Sequence, residues 1–196
     1  MSRFAGREHI GEVRAATPTA LGIAELLDSA PAPVAALTPE LLFRTHARFV
    51  AALGYRLLGR ADEVDDLVQD VFLVAQSSLA RLRVPEAARG WLATITVRKA
   101  RRRLRLRRLW RAIGVDDEPG EVAPPTHDAG PYTQTLITEL FARLDALPTA
   151  ERVAWTLRYL QNEPLDVVAS QCGCSLATVK RRIDAAAARL EREEPR

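Results

Sequence analysis

From Thr38 onward, apolar residues recur three and four positions apart through most of this chain, the spacing that covers one face of an α-helix. The first run, LLFRTHARFVAALGYRLLG, lines up Leu42, Phe49, Val50, Leu53 and Leu57. Thr38 offers a capping oxygen, Pro39 takes the first helical position and Gly59 closes the run. His46 falls inside it without a partner in the sequence and reads as a boundary or core histidine. In the second run, RADEVDDLVQDVFLVAQSSLARL, Val64, Leu67, Val68, Val71, Phe72, Ala75 and Leu79 share a face. Asp62, Asp65, Asp66, Gln69, Leu73 and Gln76 fall opposite. Leu73 puts a large apolar group in the middle of that acidic, amide-bearing side. The pattern supports two readings equally: a solvated face with one stray leucine, or a docking surface with an apolar anchor inside a charged rim.

Pro85 and Gly90 bracket a break in the periodicity, and a third helix is predicted from Trp91 to about Arg111. It opens with Trp91, Leu92 and Ile95 on one side, which reads as core packing. It then becomes basic through Arg98, Lys99, Arg101, Arg102, Arg103, Arg105, Arg107, Arg108 and Arg111, with no acidic residue between. So many like charges within a few turns repel, and a polyanion would remove that cost. The stretch after it, IGVDDEPGEVAPPTHDAGP, is rich in proline and acid and reads as an extended linker.

Helical spacing returns in TQTLITELFARLDAL, with Leu136, Leu140, Phe141, Leu144 and Leu147, and then in TAERVAWTLRYL, where Thr149 is a candidate cap. QNEP is a turn. LDVVASQCG follows as a short helix that buries Leu165, Val168 and Ala169 and stops at Gly173; Ser175 caps a longer one, LATVKRRIDAAAARLERE. The longer helix buries Leu176, Val179, Ile183, Ala186 and Leu190, so Thr178, Arg181, Arg182, Ala185 and Arg189 lie on its outer side with Lys180 at the edge. Short helix, glycine turn, long helix is helix-turn-helix grammar. Together the turn, the cap and the charges favour DNA binding over a basic surface helix of an ordinary bundle.

Charge sharpens this picture more than composition does. The net charge of the 196 residues is only +3, but residues 62 to 70 hold five acidic groups and residues 89 to 111 hold ten basic ones. That segregation suggests two partners for two faces. The expected fold class is all-α: two small helical domains joined by a flexible acidic, Pro-rich linker, the C-terminal one with the helix-turn-helix. The boundaries expected are an N-terminal extension over 1–37, partly disordered apart from a short helix over Thr19–Ser29 that the PAP at 31–33 breaks, then domains over 38–111 and 133–196 with the linker at 112–132. No apolar run approaches the ~18 residues of a membrane span, and no secretory signal is evident, so a cytoplasmic protein without membrane insertion is expected. Cys172 and Cys174 read as small apolar residues beside a tight turn rather than a redox pair or half a metal site, since the histidines lie far away in sequence. No metal, no cofactor and no catalytic constellation is expected; the chain is not read as an enzyme.

ADEVDDLVQDVFLVAQ followed by the basic helix resembles the second conserved region of a bacterial RNA polymerase sigma factor. FARLDALPTAERVAWTLRYLQNEPLDVVASQCGCSLATVKRRIDAAAARL resembles the fourth. The short length, with nothing like the intervening third domain, resembles the extracytoplasmic-function (ECF) group. The resemblance implies a protein that lends promoter recognition and strand opening to core RNA polymerase. It implies that Asp65, Asp66, Gln69, Asp70 and Leu73 dock on the β′ clamp helices. It implies that Arg98, Lys99, Arg102 and Arg103 track the phosphates of a melted minus-ten strand. Ser175, Thr178, Lys180, Arg181, Arg182 and Arg189 would serve the minus-thirty-five element. The β flap and an anti-sigma factor are further partners of such proteins. Asp184, Ala185 and the alanines at 186–188 depart from the family's more basic pattern and imply weak or unusual minus-thirty-five recognition. A stand-alone helix-turn-helix regulator is the alternative.

Overall fold

The structure, a computed structural model, describes residues 37–114 and 130–192. The expected helix at Thr19–Ser29, the rest of the N-terminal extension and the centre of the expected linker lie outside the described residues. Among the described residues there are seven α-helices and no strand: α1 Pro39–Leu58, α2 Val64–Ser78, α3 Ala88–Ala112, α4 Pro131–Ala146, α5 Thr149–Trp155, α6 Leu165–Cys172 and α7 Leu176–Arg192.

The caps explain where several of these begin and end. The Thr38 hydroxyl accepts from the Leu41 N–H at 3.1 Å, with Pro39 in the first turn. Gly59 ends α1 in the left-handed conformation, φ +69°, and donates to the Tyr55 carbonyl at 2.7 Å. A side chain at Gly59 is excluded a second time, because its Cβ would lie 2.5 Å from the Phe141 ring of α4. In α2, Asp65 and Asp66 occupy the first turn, where the helix dipole favours negative charge.

Three boundary expectations change. Helix α3 starts at Ala88, so Gly90 lies inside its first turn rather than in a loop. A 3₁₀ turn at Pro85–Ala87 feeds the helix directly, and buried Ala88 and Leu92 anchor it to the core. Thr149 is not a cap: the Pro148 carbonyl accepts from the Glu151 and Arg152 amides and leaves the hydroxyl no capping role. Leu176, expected inside, is 44% exposed, because α7 joins the core only from Val179 onward. A further feature was not foreseen. Helix α5 runs into a π-helical turn, Thr156–Leu160, in which the Gln161 amide donates to the Thr156 carbonyl at 3.0 Å.

Helix α3 is the spine of the body over Leu37–Arg196. It packs on α1 and α2 on one side and on α5 and α6 on the other, while α7 packs on α5 and α6. A single apolar cluster therefore joins Leu53, Leu67, Leu92 and Val97 from the first half to Val153, Leu157, Val168 and Ile183 from the second. Each such side chain contributes roughly 1.5–3 kcal/mol through burial. A second cluster, Tyr55, Val64, Phe141, Leu144, Leu147 and Ala186, closes the junction from the α4 side. At the rim of the first half, the Arg89 guanidinium lies 3.9 Å from the centre of the Phe49 ring. His46 sits nearby, half-buried; burial, and then the charge of Arg89, hold its pKa below 6.5.

Candidate nucleic-acid and polymerase interfaces

Among the described residues, the outer side of α2 is open. Asp65, Asp66, Gln69 and Gln76 are exposed, and Leu73 in their midst is 66% exposed. A groove of about 470 Å³ opens beside Leu73, floored by Leu42, Phe43 and Phe72 and edged by Gln69 and Gln76. Phe43 and Phe72 meet edge-on with ring centres 4.9 Å apart, which fixes the apolar floor. Asp70, expected to dock with Asp65, Asp66, Gln69 and Leu73, behaves differently from those four. It turns toward α3, accepts from Arg103 Nη2 at 2.9 Å and lies 3.7 Å from Lys99 Nζ. The hydrogen bond from Arg103, with the nearby Lys99, holds its carboxyl below the ordinary value of 3.8.

The basic helix is less uniformly a nucleic-acid surface than its sequence implies. Arg98, Arg102 and Arg105 are exposed, but several neighbours are engaged within the protein. Arg103 Nη1 donates to the Glu63 carbonyl at 3.0 Å, Arg101 to the Cys172 carbonyl at 2.9 Å and Arg108 to the Leu147 carbonyl at 3.3 Å. Buried Arg107 reaches the Leu58 carbonyl at 3.1 Å and the Glu63 carboxylate. The self-repulsion of the arginine run is thus relieved partly from inside, by carboxylates and by carbonyls at helix ends, rather than by a polyanion alone.

In the helix-turn-helix, Gly173 takes φ +63° and its amide donates to the Ser170 carbonyl at 3.2 Å. Ser175 accepts from the Thr178 amide at 3.3 Å, and the two hydroxyls lie 2.9 Å apart. Lys180 and Arg181 are exposed together, with exposed Asp184 close behind in sequence. Arg182 Nη1 lies 3.3 Å from Cys174 Sγ, and Arg189 Nε lies 3.1 Å from Glu151 Oε2. Cys172 and Cys174 are both free thiols, and burial pushes Cys172 up to about 11, so it stays protonated at neutral pH.

Sequence reasoning missed the polar centre of the junction between the two halves. Arg152 is buried; its Nε donates to the Leu57 carbonyl at 3.0 Å and its Nη2 to the Leu58 carbonyl at 2.9 Å, while Nη1 pairs with Asp145. Arg107 Nη1 lies 3.7 Å from the same carboxylate. Burial, then the charges of Arg107, Arg111 and Arg60, push the Arg152 pKa down to about 9, which leaves it charged at neutral pH. The signal available in sequence was position: Arg152 lies beside Val153 and in line with Thr156, on the face that α5 buries.

Among the described residues no group of three His, Cys, Asp or Glu side chains could hold a metal ion, and no helix is long and apolar enough to cross a membrane. An acidic helix with an exposed leucine, a basic helix against it and a helix-turn-helix define a transcription-initiation protein of the sigma class. Comparisons agree. Residues 42–112 match the family model of sigma-70 region 2, and residues 137–190 match sigma-70 region 4. The chain is 32% identical over 140 residues to the ECF RNA polymerase sigma factor EcfG of Rhodopseudomonas palustris, covering 71% of this chain and 75% of that one. It shares the fold of the sigma factor RpoE of Bartonella quintana, solved with the anti-sigma factor NepR. That likeness has a TM-score of 0.59 and 24% identity, over 76% of this chain and 92% of that one. It also shares the fold of CnrH, solved with the cytosolic domain of CnrY, with a TM-score of 0.54 and 23% identity over 78% and 86%. The chain belongs to the ECF sigma factors. It binds core RNA polymerase and directs promoter recognition and transcription initiation; a stand-alone regulator is not favoured.

Proposed function

We propose that the open side of α2 is the polymerase-docking surface, with Leu73 as the apolar anchor and Asp65, Asp66 and Gln69 as its rim. The observation that carries this is the 66% exposure of a leucine inside an otherwise polar face. Asp70 has a second task in this reading. Through Lys99 and Arg103 it braces α2 against α3, so that polymerase docking and strand capture are set on one rigid frame. Arg98 and Arg102 then hold the phosphates of the opened minus-ten strand, with Lys99 and Arg103 behind them. Lys180 and Arg181 are the outward cations for the minus-thirty-five groove; Ser175 and Thr178 shape the helix start, and Arg182 and Arg189 reach phosphate once their present contacts are released.

The two halves are proposed to act as separate domains, 38–111 and 133–196, when bound to a promoter. Elements about 25 base pairs apart are roughly 85 Å apart along B-DNA. A compact body of this size has a radius of gyration of about 15 Å. One rigid body cannot reach both, so the junction at Arg152 opens and segment 112–132 serves as the tether. Its 21 residues can reach about 70 Å. The N-terminal stretch, 1–37, is proposed as an extension outside this machinery. The solved relatives were captured with anti-sigma partners, which supports an anti-sigma factor for this chain too. The β flap is the proposed seat of the second domain. The chain is proposed to act in the cytoplasm without chemistry of its own, leaving catalysis to the polymerase.

Run-off transcription with core polymerase over a genomic fragment library tests this reading. Specific start sites are expected, and holoenzyme–promoter affinity should fall with salt at a log–log slope of roughly −3 to −5 if four to six phosphates are neutralised. Absence of any specific start would sink it.

A further inference from the structure

The outward side of α3 changes character along its length. It is basic at Arg98, Arg102 and Arg105, and then turns apolar. Leu106, Leu109, Trp110 and Ile113 stand at i, i+3, i+4 and i+7, and each is between 44 and 60% exposed. Single exposed apolar residues are ordinary on a protein surface, but four large ones in one helical stripe mark a binding surface. The stripe belongs to neither apolar cluster of the body.

Charge tells what would cover it. Arg105 is exposed beside the stripe, and among the described residues no carboxylate pairs with it. No acidic residue occurs anywhere in α3. A second copy laid stripe to stripe would bring the Arg105 guanidiniums of the two copies to one interface with no acid in α3 to offset them, and is disfavoured. Nucleic acid would satisfy the arginine and Trp110 could stack on a base, but the other three members, Leu106, Leu109 and Ile113, are aliphatic and offer a base no flat face. An amphipathic helix with leucine-type residues on one side and glutamates on its borders satisfies both the stripe and the charges.

We propose that the C-terminal two turns of α3 are a docking surface for an acidic amphipathic helix of a partner protein, seated on Leu106, Leu109, Trp110 and Ile113 and bordered by Arg105. None of its residues is among those assigned to the α2 face or to the minus-ten strand, although it continues the side of α3 that carries Arg98 and Arg102, so it stands whether or not that assignment holds.

The test uses the full chain and fluorescence anisotropy. The probe is a labelled synthetic helix of roughly 20 residues with leucines at i, i+3, i+4 and i+7 and glutamates beside them; a second probe has lysines in place of the glutamates. Expected is saturable binding of the glutamate helix only. It should weaken at least tenfold in Leu109→Ser/Ile113→Ser protein whose thermal melt by circular dichroism is unchanged. Arg105→Glu should weaken the glutamate helix and strengthen the lysine helix, an exchange that loss of folding cannot mimic. The proposal is overturned by absence of saturable binding, by equal binding of the two probes, or by unchanged affinity in Leu109→Ser/Ile113→Ser. It is also overturned if a labelled single-stranded oligonucleotide loses as much affinity on that substitution as the peptide does, which would assign the stripe to nucleic acid.

Discussion

Helices α2 and α3 pack side by side and carry opposite charge, yet their charges have different fates. The acids of α2 that lie opposite its apolar face remain in solvent with Leu73 between them. The cations of α3 divide. Some stay outside, while Arg101, Arg103, Arg107 and Arg108 bind carbonyls or carboxylates from four other parts of the chain. The cause is position in the body. Helix α2 lies at the edge and has one side free, whereas α3 is the spine and meets neighbours on two. A charged helix at the edge keeps its charges for partners; one at the centre spends part of its charge on holding the fold.

The strongest way to break this comparison is to remove the buried guanidinium at the junction. Arg152→Met takes the side-chain donor from the buried Leu57 carbonyl and leaves Asp145 and the Leu58 carbonyl to Arg107 alone. A loss of about 3–5 kcal/mol is expected in urea unfolding. A loss under about 1 kcal/mol would show that water replaces the side chain and that the junction does not depend on it. Gly59→Ala comes next, at roughly 2–3 kcal/mol, because it combines a left-handed backbone with a Cβ 2.5 Å from the Phe141 ring. Adding Phe141→Leu should recover part of that loss, the part due to the clash; no recovery would place the whole cost in the backbone.

On the edge helix, Leu73→Asp should leave the unfolding midpoint within the ordinary surface range of about 0.5 kcal/mol. It should weaken core polymerase binding about thirtyfold, or about 2 kcal/mol, by surface plasmon resonance. A change in stability without a change in binding would reverse the contrast between the two helices. Arg102 and Arg103 sharpen it within α3 itself. Arg102→Ala should reduce the salt slope of holoenzyme–promoter binding by about 0.7–0.9 and leave stability alone. Arg103→Ala should instead cost up to about 1 kcal/mol of stability through its half-exposed pair with Asp70. Equal salt slopes for the two variants would erase the distinction.

The smallest expected effect is a pH dependence. The folded Asp70 carboxyl titrates below its ordinary 3.8, so its contribution to stability is complete above that value and is lost as pH falls through the lower, folded one. The difference in unfolding free energy between the protein and its Asp70→Asn variant should therefore shrink only in acid below about pH 4, by a few tenths of a kcal/mol given the exposure of the pair. A difference that persists to lower pH would mean that the pair with Arg103 is not its source.

Local chemistry was legible in the sequence because its causes are local. Thr38, Gly59, Gly173 and Ser175 act on amides and carbonyls within four residues, so the ends of α1, α6 and α7 follow from the residues themselves. Periodicity likewise placed Asp65, Asp66, Gln69 and Leu73 outside, since one buried face of a helix implies the opposite one. The misplaced Leu176 and the early start at Ala88 show where that inference stops. Periodicity says which side of a helix is apolar, but not how far along its length a neighbour reaches.

Only the tertiary structure decided which charges are held inside. Arg56 meets Gln161 across 105 positions, and Arg152 meets Leu57 across 95. Such pairings depend on which helix ends the packing brings together, and an arginine looks the same in sequence whether its partner is a phosphate, a carboxylate or a carbonyl at the end of a distant helix. The sequence by itself determined the helices, their faces and the segregation of charge. Packing then decided which arginines close the junction and which stay outside. Among the described residues it also left the apolar end of α3 exposed, a surface that no local pattern separates from core.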